Sequence, residues 1–142
     1  MDRRRNSMVV PVGSDAGGCE MKRSFLVVDD YESVRLSAKV IIERSGLIDV
    51  DVARSGAEAI EMCRSVHYDA ILMDVCMPDM DGVTTAKHIQ RIQPKALIFG
   101  WSVDPDIAKR MDNVFITTLH KDLRHESVTA ICELIDRMLR YG

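Results

Sequence analysis

The chain has 142 residues, of which 46% are hydrophobic and 29% are charged. This composition is typical of one globular domain, because a chain of this length can bury an adequate core. With 22 acidic and 19 basic residues the net charge is −3, so the sequence offers no basic surface suited to nucleic acid or to an anionic membrane. Its apolar runs are only a few residues long, whereas roughly 20 residues are needed to cross a bilayer. Direct DNA binding and membrane insertion are therefore not expected.

The first 23 residues differ in character from the rest of the chain. They contain Arg3-Arg4-Arg5, several glycines and a hydrophobic stretch limited to Met8-Val9-Val10, which is too short for a signal peptide. We predict a flexible N-terminal tail over residues 1–23 and one domain over residues 24–142. The four cysteines form no CxxC pair and no zinc-binding spacing with histidine. They favour a reducing compartment, the cytoplasm and, in a eukaryotic cell, also the nucleus.

Short apolar runs alternate with segments of helical periodicity along the predicted domain. In chain order they predict strand 25–28, helix 33–44, strand 48–53, helix 57–65, strand 70–73, helix 82–91, strand 96–101, helix 104–111, strand 114–119 and helix 127–141. Gly46 follows the first helix, where a residue in the left-handed conformation is favoured. The (βα)5 pattern predicts an α/β, flavodoxin-like three-layer fold, in which a parallel five-stranded sheet has the order 2-1-3-4-5.

Acidic residues and a lysine follow three of the predicted strands. Asp29 and Asp30 end the first strand, Asp74 ends the third, and Lys121 follows the fifth. Because the first and third strands are neighbours in this order, the three carboxylates are expected to meet at the carboxyl edge of the sheet. Crowded carboxylates at neutral pH either raise a pKa or recruit a cation, and an all-oxygen ligand set suits Mg²⁺. With Lys121 as cation and Ser102 as hydroxyl, the set suffices for phosphoryl transfer, and we predict Asp74 as the acceptor.

Taken together, these residues resemble the response-regulator receiver (CheY-like) family over about residues 24–140. The resemblance rests on the acid pair Asp29-Asp30, on Asp74 followed by Met77-Pro78-x-Met80-Asp81-Gly82, and on Ser102 and Lys121 in that order. It implies that Asp74 accepts phosphate from a phosphohistidine on a histidine kinase or a histidine phosphotransfer protein. Such a receiver is a phosphoacceptor switch that catalyses its own phosphorylation and dephosphorylation, rather than an enzyme with a separate substrate.

The resemblance also assigns roles around Asp74. Asp30, Asp74 and the backbone carbonyl of Cys76 would bind Mg²⁺ directly, and Asp29 would assist through water. Ser102 and Lys121 would contact the phosphoryl group. Their inward movement would report phosphorylation to the face formed by the fourth and fifth strands and helices.

Three positions depart from the family pattern. Val103 stands where a small residue is usual, so access to Asp74 is expected to be narrowed. Thr118 occupies the position where many receivers carry an aromatic switch residue, which leaves Ser102 and Thr118 as the predicted switch pair. Asp122 replaces the proline that usually follows the lysine, which removes a rigid turn, adds a negative charge and is expected to weaken the placement of Lys121.

Other functions stay open at this point. A pseudo-receiver, an interaction module that is not phosphorylated, is favoured by the three departures but gives no chemical reason for keeping the acids, hydroxyl and lysine together. A phosphohydrolase of the haloacid dehalogenase type needs a second Asp two residues after the nucleophile, where this chain has Cys76. With no output domain after Lys121, we expect a stand-alone receiver, monomeric or weakly dimeric, that acts through protein contacts. The stretch Lys95–Ser102 adds a faint resemblance to plant stand-alone receivers related to hybrid kinases.

Overall fold

The computed structural model describes residues 9–11, 19–78, 80–103 and 114–141. In chain order its elements are β1 (Val9–Pro11), β2 (Cys19–Met21), β3 (Arg23–Val28), α1 (Glu32–Glu43), β4 (Ile48–Ala53), α2 (Gly56–Ser65), β5 (Ala70–Asp74), α3 (Gly82–Ile92), β6 (Leu97–Ser102), β7 (Thr118–His120) and α4 (His125–Tyr141). Strands β3 to β7 form a parallel sheet in the order β4-β3-β5-β6-β7. This confirms the predicted order 2-1-3-4-5.

The sheet is covered on both faces, which explains why its central strands are continuous apolar runs. On one face, alternate residues of β3, β5 and β6 pack against α2 and α3, including Leu26, Ile71 and Ile98. On the other face, the intervening residues pack against α1 and α4, including Phe25, Leu72 and Trp101. The period of two along each strand thus divides the apolar residues between two core layers.

Local sequence signals set the helix ends. Ser55 accepts a hydrogen bond from the backbone of Glu58 at the start of α2, 3.1 Å long, and Asp81 accepts one from the backbone of Thr84 at the start of α3, 2.7 Å long. Side-chain caps of this kind satisfy backbone N–H groups that have no partner within the helix. After α1, Gly46 has a φ of 77°, as the sequence predicted. In the part of the chain that the structure describes, no helix has the length and apolar character needed to span a membrane.

One predicted strand differs from the structure in its bounds. The predicted strand 114–119 is wrong over its first four residues, since β7 includes only Thr118–His120. Val114 and Phe115 both pack against the same core layer, whereas successive residues of a strand point to opposite faces. The predicted helix 104–111 lies outside the described residues.

At the other end of the chain, β1 and β2 pair antiparallel, with Val9 opposite Met21 and Pro11 opposite Cys19. Both strands fall within the segment predicted as a flexible tail, so regular pairing is present at residues 9–11 and 19–21. The domain boundary after residue 23 stays a prediction, and β3 begins at Arg23 itself.

Candidate functional site

Three carboxylates meet at the carboxyl edge of the sheet. Val28 of β3 pairs with Met73 of β5, so Asp29 and Asp74 leave neighbouring strands at the same level. One oxygen each from Asp29, Asp30 and Asp74 lie within 4.8 Å of one another. Asp29 is 2% exposed and Asp74 is 5% exposed. The structure therefore brings the acid pair and the predicted phosphoacceptor together in a site with little solvent.

Lys121, the residue after β7, completes this cluster. Its backbone N–H donates to the carbonyl of Ser102 over 2.8 Å, which fixes its main chain beside the end of β6. Its Nζ lies 2.6 Å from Asp29 Oδ2 and 3.3 Å from Asp74 Oδ1. The proximity to Asp74 was predicted from the sheet order, whereas the shorter bond to Asp29 was not.

The charges in the cluster shift one another's proton affinities. Burial, followed by repulsion from Asp29, raises the pKa of Asp74 to about 6, although Lys121 and the Cys76 backbone N–H act in the opposite direction. For Lys121, burial disfavours the charged form, but the hydrogen bond and attraction to Asp29, together with Asp74, outweigh it and raise the pKa. Asp74 is thus a carboxyl whose charge needs further compensation, and Lys121 remains cationic.

The donor set fits a hard divalent cation. Three carboxylates face one ammonium, which leaves the cluster short of positive charge. Oδ1 of Asp30 is buried and, among the described residues, has no hydrogen-bond partner, although a buried carboxylate oxygen normally has one. A magnesium ion accepts oxygen ligands and would compensate both the charge and this unpaired oxygen.

Other predicted site residues lie around the cluster. Cys76 is exposed, and its backbone N–H donates to Asp74 Oδ1 over 3.2 Å. Ser102 is buried at the end of β6, next to Trp101, which pairs with Asp74 in the sheet. Thr118 pairs with Gly100, and its Oγ1 would lie 2.8 Å from a Cβ added there. Thr118 therefore lies on β7 beside β6, three residues before Lys121 in the chain.

The departures at Val103 and Asp122 have distinct environments. Val103 is 70% exposed, so its side chain lies at the surface beyond the end of β6. Asp122 accepts hydrogen bonds from Arg124 and from the Ser127 hydroxyl. The bonds from Arg124, followed by the one from Ser127, lower the pKa of Asp122. The charge of Asp122 is therefore paired with the side chain of Arg124, the residue before α4.

Three supporting contacts were missed by the sequence reasoning. The Tyr31 backbone N–H donates to Asp29 Oδ1 over 2.9 Å, and Arg35 Nη1 donates to the Asp29 carbonyl over 2.8 Å. Gly82 lies so close to β5 that an added Cβ would be 2.9 Å from Val75 Cα and would collide with the Asp74 carbonyl oxygen. Gly82 directly follows the helix cap Asp81, and a glycine at this position was a sequence signal that the start of α3 lies close to the backbone at the end of β5. The contacts of Tyr31 and Arg35 depend on the turn between β3 and α1, which residue spacing did not specify.

This sheet order, with carboxylates and a lysine at its carboxyl edge, defines a receiver-type α/β domain. Residues 25–133 match the family model described as the response regulator receiver domain, and the chain belongs to this family.

Relatives of known identity agree with this assignment. The chemotaxis protein CheY of Bacillus subtilis is 37% identical over 78 residues, which cover 55% of this chain and 65% of that protein. A protein-glutamate methylesterase/protein-glutamine glutaminase of Archaeoglobus fulgidus is 40% identical over 73 residues, which cover 51% of this chain and 21% of that protein. The chain thus spans about two thirds of the former and a fifth of the latter. The faint resemblance to plant receivers stays a prediction.

Solved structures show the same fold. Chemotaxis protein CheY4 of Vibrio cholerae superimposes with a TM-score of 0.72 at 24% identity, covering 80% of this chain and 98% of that one. Response regulator TrrA of Thermotoga maritima, solved in complex with Mg²⁺ and beryllofluoride, also gives a TM-score of 0.72, at 22% identity and with the same coverage. At these identities the likeness supports the fold alone.

Proposed function

We propose that this receiver domain accepts a phosphoryl group on Asp74 from a phosphohistidine, and signals or relays it through protein contacts. The observation that carries the proposal is the position of Asp74 among Asp29, Asp30 and Lys121, with carboxylate oxygens within 4.8 Å and the ammonium 3.3 Å from Asp74. A scaffold that only bound partners would gain nothing from crowding three carboxylates together and burying Asp29 and Asp74, because a buried charge costs free energy to desolvate. Phosphoryl transfer gives the arrangement a chemical purpose.

The chain's own residues define the acceptor. The Cys76 N–H holds Oδ1 of Asp74, which leaves Oδ2 as the attacking oxygen. Oδ2 forms a bond to phosphorus while the bond between phosphorus and the donor imidazole breaks, and the imidazole nitrogen keeps the electron pair and takes up a proton. Lys121 places its positive charge against the phosphoryl oxygens, and the Ser102 hydroxyl donates to one of them. Catalysis of this kind rests on positioning and charge stabilisation rather than on covalent help from the protein.

Magnesium is the cofactor that this donor set fits. We assign Asp30, Asp74 and the backbone carbonyl of Cys76 as direct ligands, and Asp29 as a residue that binds through water. When bound, the ion neutralises the carboxylates and stabilises the negative charge of the phosphoryl group. The unpaired oxygen of Asp30 supports this assignment.

The partner class follows from the acceptor chemistry. A histidine kinase or a histidine phosphotransfer protein would supply the phosphoryl group, and Ser102 with Thr118 would report it to β6, β7 and α4. We propose a cytoplasmic domain that acts as a monomer or weak dimer, without direct contacts to nucleic acid or membrane. Its own residues would catalyse both phosphorylation and dephosphorylation.

The experiment that tests this function is phosphorylation by acetyl phosphate with Mg²⁺, followed by intact mass. The wild type should gain one phosphoryl group, and Asp74→Asn should gain none. Asp136→Asn, which neutralises an acid in an ion pair on α4, is the matched control and should be modified like the wild type. Absence of the mass gain in the wild type, with and without Mg²⁺, would favour the pseudo-receiver instead.

A further inference from the structure

We propose that Asp122 is a positioning residue for Lys121, and that it holds the segment carrying the ammonium by bonding to the first turn of α4. The inference deepens the proposed function, in which Lys121 contacts the phosphoryl group. It replaces the expectation from sequence that Asp122 weakens the placement of Lys121.

The carboxylate of Asp122 ties its own segment to the helix. Oδ1 accepts from the Arg124 backbone N–H over 3.0 Å, and Oδ2 accepts from the Ser127 hydroxyl over 3.0 Å. Arg124 adds two side-chain hydrogen bonds to Oδ2, from Nη2 at 2.7 Å and from Nε at 3.0 Å. Asp122 is therefore bonded both to the backbone before α4 and to a side chain within its first turn.

The turn to which Asp122 is bonded is anchored in the core. Val128, the residue after Ser127, is 0% exposed and belongs to the layer that also contains Trp101. On the other side of Lys121, its backbone N–H bonds to the Ser102 carbonyl over 2.8 Å. Lys121 is thus held between a strand contact before it and the Asp122 contacts after it.

Hydrogen bonds on both sides of Lys121 are needed because lysine has a long and flexible side chain. Its ammonium reaches both Asp29 and Asp74 only if the main chain stays in register with the edge of the sheet, and the side chain of Lys121 is 11% exposed in this position. A proline after the lysine would restrict the backbone through its ring. Asp122 restricts it through side-chain hydrogen bonds, as Asp commonly does in turns. The charge of Asp122 is paired with Arg124, so Asp122 does not compete with Asp29 and Asp74 for the ammonium of Lys121.

The first test measures the exposure of Lys121 without reference to phosphorylation. Trace acetylation with acetic anhydride, analysed by mass spectrometry, would compare Lys121 with the exposed Lys95 in the 142-residue chain without added metal. Asp122→Ala should raise the relative labelling of Lys121 about threefold, the effect of losing an exposed charged contact. Asp122→Asn keeps an acceptor for the Arg124 backbone N–H and can donate to the Ser127 hydroxyl, but it loses the bonds from the Arg124 side chain. Its labelling should therefore lie between those of the wild type and Asp122→Ala.

Asp136→Ala is the matched control. It removes an exposed ion pair of the same helix, between Asp136 and Arg140 at 2.8 Å, but at the end away from Lys121. Its Lys121 labelling should equal that of the wild type. Unchanged labelling in Asp122→Ala, or an equal rise in Asp136→Ala, would overturn the proposal.

The second test separates positioning from a general loss of structure. Fluorescence of Trp101, the single tryptophan of the chain, would follow titrations with Mg²⁺ and then with beryllofluoride. In Asp122→Ala, Mg²⁺ should bind as tightly as in the wild type or more tightly, because a loosened ammonium competes less for Asp29 and Asp74. Beryllofluoride, which needs the ammonium, should bind about threefold more weakly. Equal weakening of both ligands would contradict positioning. If the wild type does not bind beryllofluoride, the proposed function fails, and the lysine labelling still decides the role of Asp122.

Discussion

Lys121 Nζ lies closer to Asp29 than to Asp74, at 2.6 Å against 3.3 Å. The ammonium is therefore the counter-ion of Asp29 as well as a neighbour of the acceptor Asp74. Since Asp29 and Asp74 are also in the proposed metal site, the ammonium and a divalent cation attract the same carboxylates. Their charges repel each other across this short distance.

Removal of the ammonium should therefore strengthen metal binding. We expect Lys121→Met to bind Mg²⁺ roughly tenfold more tightly, because one unit of positive charge next to the ligands is lost. The same variant should accept phosphate from acetyl phosphate much more slowly. Calorimetric titration of Mg²⁺ measures the first effect and intact mass the second. Lys95→Met removes an exposed lysine and is the control for net charge. Weaker Mg²⁺ binding in Lys121→Met would show that the lysine supports the site rather than competing with the ion.

The raised pKa of Asp74 predicts a pH-dependent stability in the metal-free protein. Its pKa is about 6 in the fold against an ordinary value of 3.8, so between these values the folded state binds more protons than the unfolded chain. The free energy of unfolding should therefore fall as pH rises through this window, and the loss should be complete above the folded pKa. Asp74→Asn lacks this titration, so it should be more stable than the wild type at neutral pH, with a difference that shrinks below about pH 4.

Urea denaturation in the presence of a chelator measures this difference across the pH range. Addition of Mg²⁺ at neutral pH should stabilise the wild type more than Asp74→Asn, because the ion compensates the charge that the variant lacks. A constant difference between the two proteins from pH 4 to pH 8 would contradict the pKa shift.

The cysteines should differ strongly in reactivity. Burial raises the pKa of the Cys63 thiol to about 12 and that of Cys132 to about 11, so little thiolate is present at either at neutral pH. Cys76 is exposed. Among these three, we expect iodoacetamide to modify Cys76 first and Cys63 last, as measured by peptide mass spectrometry.

Modification of Cys76 should also affect function, because its backbone is bonded to Asp74. The alkylated protein should take up phosphate more slowly, whereas Cys76→Ala treated with the same reagent should retain the rate of the untreated variant. If Cys63 reacts as fast as Cys76, the core layer beside α2 opens more readily than its burial implies.

The sequence predicted the sheet order and the meeting of Asp29, Asp30 and Asp74 because both follow from simple rules. Apolar runs between helical segments indicate parallel strands, and parallel strands present their ends at one edge. Strand 114–119 was predicted incorrectly by the same rule. An apolar run does not reveal whether Val114 and Phe115 point to opposite faces or pack on one.

The finer contacts of the site could not be predicted, since they depend on side-chain rotamers and on the charges present. The bond between Lys121 and Asp29 depends on the rotamers of both side chains, which the pattern of strand ends does not specify. For Asp122, the sequence indicated only that a proline was absent. Its bonds to Arg124 and Ser127 depend on the start of α4, which lies two residues before the predicted start at Ser127.

Gly82 should be essential for the geometry of the acceptor loop. A Cβ at this position would meet the backbone of Asp74 and Val75, and backbone cannot move aside as a flexible side chain can. We expect Gly82→Ala to lower the free energy of unfolding by about 1 to 3 kcal/mol, as overpacking does, and to slow phosphorylation of Asp74. Gly46→Ala is the matched control, because Gly46 has a φ of 77° and no atom within 4 Å of an added Cβ. It should cost about 1 kcal/mol through backbone strain and leave the phosphorylation rate unchanged. Equilibrium denaturation in urea measures the free energy of unfolding, and intact-mass spectrometry at successive times measures the phosphorylation rate. Equal phosphorylation rates in both variants would show that Asp74 tolerates a displaced α3.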